Sequence, residues 1–191
     1  MAKKDYTSAS SNYMTPIDLY QPLLDFMGID KFDTDIACSN MNIPAKKYRT
    51  PDGEFLENDF FFKVSDKTGL DGDFGAGVHF MNPPFDLARH FLKVINEELK
   101  KEPSSRFWCI LPSDRFETKY YRDYIANNPN CFVMFLPKAG FLVPGAPLDK
   151  PKPSVKVMYC YFGLDAETTA KSFQEIYGQM GAVVYNKLNN V

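Results

Sequence analysis

Three runs of the chain are apolar almost without interruption: "RFWCILP" at 106–112, "CFVMFLP" at 131–137 and "SVKVMYCYFG" at 154–163. Segments this short and continuous, rich in aromatic and β-branched residues, suit strands covered on both faces, because a half-exposed strand alternates apolar with polar side chains. "GVHFM" at 77–81 has the same character. Stretches of helical period lie between these runs. In "FDLARHFLKVINEELKK" at 85–101, Leu87, Phe91, Leu92, Ile95 and Leu99 fall on or near one face, and this is the clearest amphipathic helix in the chain. "FETKYYRDYIANN" at 116–128 resembles a second helix. Strands alternating with helices predict an α/β sandwich around a mainly parallel sheet.

The N-terminal part is more broken. Residues 1–12 are polar and serine-rich and read as a flexible arm, leaving 13–191 as a single domain. "TPIDLYQPLLDFMG" at 15–28 predicts a helix capped by Thr15, with Pro16 at its first position, Pro22 inside it and Gly28 as its stop. "KFDTDIAC" at 31–38 alternates like a short strand ending near Asp35, and "EFLENDFFF" at 54–62 predicts another that enters a turn at Asn58 and Asp59. "VSDKTGLDGDFGAG" at 64–77, dominated by glycine, aspartate and lysine, reads as a flexible loop.

Composition excludes several classes of function. No run of about 18 apolar residues is present to cross a membrane, and no apolar segment follows the early lysines as a secretory signal requires, so a cytoplasmic protein is expected. Cys38, Cys109, Cys131 and Cys160 are far apart and only His79 and His90 accompany them, which predicts buried free thiols and no metal site. A net charge of −2 leaves no general basic surplus for nucleic acid. Any such contact must come from local groups: Lys46, Lys47 and Arg49; Arg115, Lys119 and Arg122; or Lys150, Lys152 and Lys156.

Ligands of open α/β sheets bind at the carboxyl ends of the strands. The turn Asn82-Pro83-Pro84-Phe85 follows the strand 77–81 at such an end. Taken alone, it is either a proline-stiffened turn whose asparagine caps the next helix or a reactive site. Its surroundings resemble a known family. "TP" at 15–16, "FDTDIAC" at 32–38, "VHFMNPPF" at 78–85, "CILP" at 109–112, "FLVPG" at 141–145 and "PSVKVMYCYFG" at 153–163 are together similar to the phage-type, Dam-like DNA N6-adenine methyltransferases. The resemblance covers about residues 13–163; the tail from Leu164 matches nothing recognised.

That resemblance implies a Rossmann-like class I methyltransferase sandwich that transfers a methyl group from S-adenosylmethionine to N6 of adenine in DNA. A phage or prophage enzyme acting in the bacterial cytoplasm, as in restriction-modification, is the expected setting. Double-stranded DNA with the target adenine flipped out is the expected partner. Methylation of RNA adenine or a protein amide, or a non-catalytic DNA-binding role, are the alternatives. The chemistry of the turn is arguable from its residues. An exocyclic amine is a poor nucleophile because its lone pair is delocalised into the ring. The Asn82 side-chain oxygen and the Pro83 carbonyl can each accept one of its N–H groups, Pro83 and Pro84 hold these acceptors rigid, and Phe85 can stack on the unpaired base.

For the donor, the resemblance implies contacts from Thr15, Pro16, Asp35 and Ala37, and from Asp59 with Phe60. No glycine-rich loop follows the strand at Asp35; "GAG" at 75–77 precedes a strand, whereas a nucleotide-cradling loop follows one. In "LPSDRFETKYYRDY" at 111–124, Ser113, Arg115, Lys119 and Arg122 sit among Tyr120, Tyr121 and Tyr124. These tyrosines either meet an unstacked base or belong partly to the core. Lys150 and Lys152 end a proline-rich loop that either rests on DNA or merely connects. His79 is expected to be packed, and His90 to lie on a surface.

Overall fold

In the computed structural model, the described residues are 14–38, 42–49, 63–64, 68–115, 117–141 and 154–185. Along the chain they form α1 (Ile17–Met27), β1 (Thr34–Asp35), β2 (Lys47–Tyr48), β3 (Lys63–Val64), β4 (Val78–Met81), α2 (Ala88–Lys101) and β5 (Arg106–Pro112). A helical turn, α3 (Lys119–Tyr121), continues into a π-helical turn at Arg122–Ala126. β6 (Cys131–Phe135), β7 (Ala139–Gly140), β8 (Ser154–Val155), β9 (Val157–Phe162), α4 (Ala166–Tyr177) and β10 (Ala182–Tyr185) follow.

Eight strands form one sheet in the order β10-β6-β9-β5-β4-β1-β2-β3, while β7 and β8 pair separately. The expected mainly parallel, Rossmann-like methyltransferase sandwich is corrected here: the sheet is mixed. β1, β2, β3, β4 and β5 pair in parallel, but β9 runs antiparallel to both β5 and β6, and β10 antiparallel to β6. The antiparallel ladders are the long ones, from Phe107↔Phe162 to Pro112↔Val157 and from Cys131↔Phe162 to Phe135↔Met158. The parallel ladders at β1, β2 and β3 hold only one or two residue pairs each. A strand buried on both faces has the same apolar sequence whichever way it runs, so the sequence pattern located β9 without giving its direction.

Burial on both faces is plain in β5. Trp108 and Ile110 join a core cluster with Leu19, Leu23 and Leu24 of α1 and Ala166, Ala170 and Phe173 of α4. Phe107, Cys109 and Leu111 join a second cluster with Phe91, Leu92, Ile95 and Leu99 of α2. The tail beyond Leu164 therefore contributes α4 to one core layer and β10 to the sheet edge. All four cysteines are buried thiols outside any disulfide, as expected, and burial pushes Cys109, Cys131 and Cys160 to higher pKa.

Helix α1 ends as its sequence suggests. Gly28 adopts a left-handed φ of 64°, its N–H reaches the Asp25 carbonyl at 3.2 Å, and the Ile29 N–H reaches Leu24 at 3.1 Å. Its start differs from expectation: Pro16 is the capping residue, and Thr15 makes no capping hydrogen bond. Pro22 is accommodated in the second turn, where the carbonyl deprived of an N–H partner belongs to exposed Asp18. No described helix is long and apolar enough to cross a membrane.

Candidate functional site

Strands β1, β4 and β5 are neighbours and run in parallel, so their carboxyl ends share one edge of the sheet. That edge carries Asp35 at the end of β1, the Asn82-Pro83-Pro84-Phe85 turn after β4, and Ser113 after β5. The register Asp35↔Phe80 sets the acid beside the strand that leads into the turn. The sequence-predicted Asp35, Asn82 and Ser113 thus lie at the same end of the sheet, reached from segments far apart in the chain.

Asn82 is half-buried, and its Nδ2 donates to the Thr15 hydroxyl at 2.9 Å. Thr15 is 3% exposed, and its carbonyl accepts the Asn42 amide at 2.7 Å. Among the described residues no donor reaches Asn82 Oδ1 or the Pro83 carbonyl. The following helix is capped at Leu87 without a side-chain hydrogen bond, and the first turn is closed by the Leu87 N–H to the Pro84 carbonyl at 2.9 Å. Asn82 is therefore not a helix cap. Pro83 is buried, and Pro84 and Phe85 are half-buried. Pro16 is buried beside Thr15 in sequence, at the start of α1.

Asp35 is 4% exposed. Burial raises its carboxyl to about 7, opposed by the Ala37 N–H and the Cys38 side chain that hydrogen-bond it; the Ala37 contact is 3.3 Å. A buried carboxyl is stabilised in its charged form by an added hydroxyl or ammonium donor. Ala37 contributes its backbone N–H, as half-buried residues of tight turns commonly do.

Around this turn lies a support that sequence reasoning missed. The Arg49 N–H donates to the Asp35 carbonyl at 2.9 Å, and the Cys38 N–H donates to the Arg49 carbonyl at 3.0 Å. The Arg49 side chain, 5% exposed, donates to the Asp73 carbonyl at 3.0 Å and lies over the Phe74 ring at 5.8 Å. Glu98, 4% exposed, accepts the N–H of Asp73 at 2.8 Å and of Phe74 at 3.3 Å. The segment 68–77, expected to be a flexible loop, is thus held from both sides. Gly69 serves close approach: a Cβ there would meet the Ile36 carbonyl oxygen at 2.0 Å. A carboxylate at position 98, three residues after Ile95 on the apolar stripe of α2, was the available sequence signal for Glu98. Arg49 and Asn42 lie in a polar stretch with no periodicity and gave none.

The residues considered as nucleic-acid contacts lie in different settings. Arg49 is a buried structural cation. Lys46 pairs with Asp33 at 2.7 Å. Lys119 pairs with Asp123 at 2.5 Å and Arg115 with its neighbour Asp114 at 3.6 Å, both cations staying exposed, and Arg122 is exposed as well. Tyr121 is buried in the second core cluster, and Tyr120 and Tyr124 are half-buried against that cluster. His79 is fully buried against Phe74 and Phe107 with Nε2 3.0 Å from the Gly75 carbonyl, while His90 is exposed. Lys156 is exposed and its carbonyl accepts the Ser113 N–H at 3.0 Å. Asp59, Phe60, Lys150 and Lys152 lie outside the described residues. Among the described residues no group of three or more His, Cys, Asp or Glu side chains is placed to hold a metal ion.

No family model matches the chain, and no curated protein does. Among solved structures, the chain is similar to a precorrin-8w decarboxylase from Methanobacterium thermoautotrophicum at 13% identity and a TM-score of 0.46, covering 82% of this chain and 95% of that one. It is also similar to protein LPL1258 of Legionella pneumophila at 11% identity and a TM-score of 0.39, covering 69% of this chain and 51% of that one.

Proposed function

We propose that the chain transfers a methyl group from S-adenosylmethionine to the N6 amine of adenine in DNA. The observation that carries this reading is the pair of acceptors that no described residue engages, Asn82 Oδ1 and the Pro83 carbonyl, on a proline-locked turn at the same end of the sheet as a buried acid. S-adenosylmethionine, when bound, supplies an electrophilic methyl group. Asp35 fits the polar part of that molecule, since a buried carboxyl hydrogen-bonded by the Ala37 and Cys38 groups gains from a further hydroxyl or ammonium donor.

The protein's own part is to prepare the amine. Asn82 Oδ1 and the Pro83 carbonyl accept one N–H each, which favours the tetrahedral nitrogen whose lone pair has left the ring. The acceptors need no rearrangement at the moment of reaction, because Pro83 and Pro84 fix the backbone. Phe85, half-buried next to them, offers its ring to a base taken out of the duplex. As the nitrogen gains positive charge, the two oxygens stabilise it more than they stabilise the neutral amine, and this difference is what accelerates a reaction; one N–H proton of the methylated nitrogen then leaves to solvent.

The test is nucleoside mass spectrometry on a host lacking adenine methylation that expresses either this protein or Asn82→Ala, with DNA and RNA digested separately. N6-methyladenine in DNA that disappears with the substitution supports the reading. Methylation confined to RNA moves the substrate, and no methylated adenine in either pool overturns the proposal.

A further inference from the structure

Resting on the reading that Asn82 receives an amine, we infer that Thr15 is a positioning residue for Asn82 and not a contact of the methyl donor. An asparagine can present its oxygen to a substrate only if its own N–H groups are accommodated on the other side. Here the accommodating group is the Thr15 hydroxyl, which takes Asn82 Nδ2 at 2.9 Å across 67 residues of sequence. Thr15 is 3% exposed, so its hydroxyl is turned into the protein. The segment that carries it is fixed by the Asn42 amide on the Thr15 carbonyl at 2.7 Å, and by the Leu19 N–H on the Pro16 carbonyl at 3.0 Å. A relay Asn42–Thr15–Asn82 therefore ties the start of α1 to the turn after β4. It holds the amide with Oδ1 outward.

Valine at position 15 keeps the shape and removes the acceptor. In the productive orientation Asn82 Nδ2 is then a partly buried donor without a partner, a loss that slows a step dependent on that orientation by roughly 5- to 150-fold. Serine keeps the hydroxyl and restores most of the rate.

The experiment compares the full chain with Thr15→Val and Thr15→Ser. It measures kcat for DNA adenine methylation at saturating donor, the affinity for S-adenosylhomocysteine by calorimetry, and the Asn82 side-chain amide signals by NMR, assigned by their loss in Asn82→Ser. The expected result is a kcat for Thr15→Val lowered within that range, an affinity for S-adenosylhomocysteine within about twofold of the parent, and near-parental kcat for Thr15→Ser. In the NMR spectrum one Asn82 amide proton, protected from exchange in the parent, loses that protection in Thr15→Val. A Thr15→Val protein with lost S-adenosylhomocysteine affinity and parental kcat overturns the inference and makes Thr15 a donor contact. Unchanged Asn82 amide exchange in Thr15→Val also overturns it, and this outcome is readable even if the parent methylates no DNA, which would sink only the functional reading.

Discussion

Replacing Asp35 with asparagine should stabilise the protein at alkaline pH while weakening its affinity for the donor. Burial moves the carboxyl from 3.8 to about 7. At about 1.4 kcal/mol for each tenfold change in proton affinity, ionising this group costs the folded chain about 4 kcal/mol more than the unfolded one. The sign follows from proton uptake: between pH 3.8 and about 7 the folded state holds a proton that the unfolded state has released. The stabilising effect of that proton is complete below the lower value and is lost as pH rises through the upper one. The amide that replaces the carboxyl in Asp35→Asn does not titrate, so the stability of variant minus parent should widen by about 2–3 kcal/mol between roughly pH 5 and pH 8 and level off above. Urea unfolding at several pH values measures this directly. Subtracting across pH removes the pH-independent cost of the substitution itself. In parallel, calorimetry with S-adenosylmethionine should show parental affinity rising with pH until Asp35 is ionised, a dependence absent in the variant. A stability difference that does not change with pH would refute the buried-acid argument. Parental affinity in the variant would remove Asp35 from the donor site.

Asn82→Ala should lower the methylation rate by about 10²–10³, the usual cost of losing one preorganised hydrogen-bonding group at a reacting centre. Gly69→Ala would set a methyl group 2.0 Å from the Ile36 oxygen, so the chain must shift beside Asp35; reduced stability and reduced donor affinity should appear together, by thermal melts and calorimetry. Glu98→Ala strips the acceptor from the Asp73 and Phe74 N–H groups and should cost about 2–3 kcal/mol in urea unfolding, while Glu98→Gln, which keeps one acceptor oxygen, should cost under about 1 kcal/mol.

What the sequence revealed follows the range over which each cause acts. The strand at Arg106–Pro112 was legible because Phe107, Cys109 and Leu111 face one core cluster and Trp108 and Ile110 the other, leaving no polar position to blur the run. The same two-sided burial hid strand direction, and so β9 was located but the antiparallel half of the sheet was not. The Asn82 turn was legible because its rigidity is local to Pro83 and Pro84. Its partner Thr15 was placed in the right neighbourhood with the wrong role: a threonine before a proline reads as a helix cap, and only tertiary contact with Asn82 shows where its hydroxyl goes.

Charge misled most where it was buried. Arg49 stood beside Lys46 and Lys47 and read as part of a surface patch, yet its guanidinium holds Asp73 and covers Phe74. Glycine misled in the same region, because a residue chosen for lack of a side chain is equally suited to a mobile loop and to one pressed against a neighbouring backbone. Gly69 against Ile36 is the second kind. Arg49 and Glu98 bind the same two residues, Asp73 and Phe74, from different elements, and Arg49 also takes up the Asp35 carbonyl. Segment 68–77 is therefore structurally continuous with the turn at Asp35, and a substitution that loosens it should be felt at that acid before it is felt at Asn82.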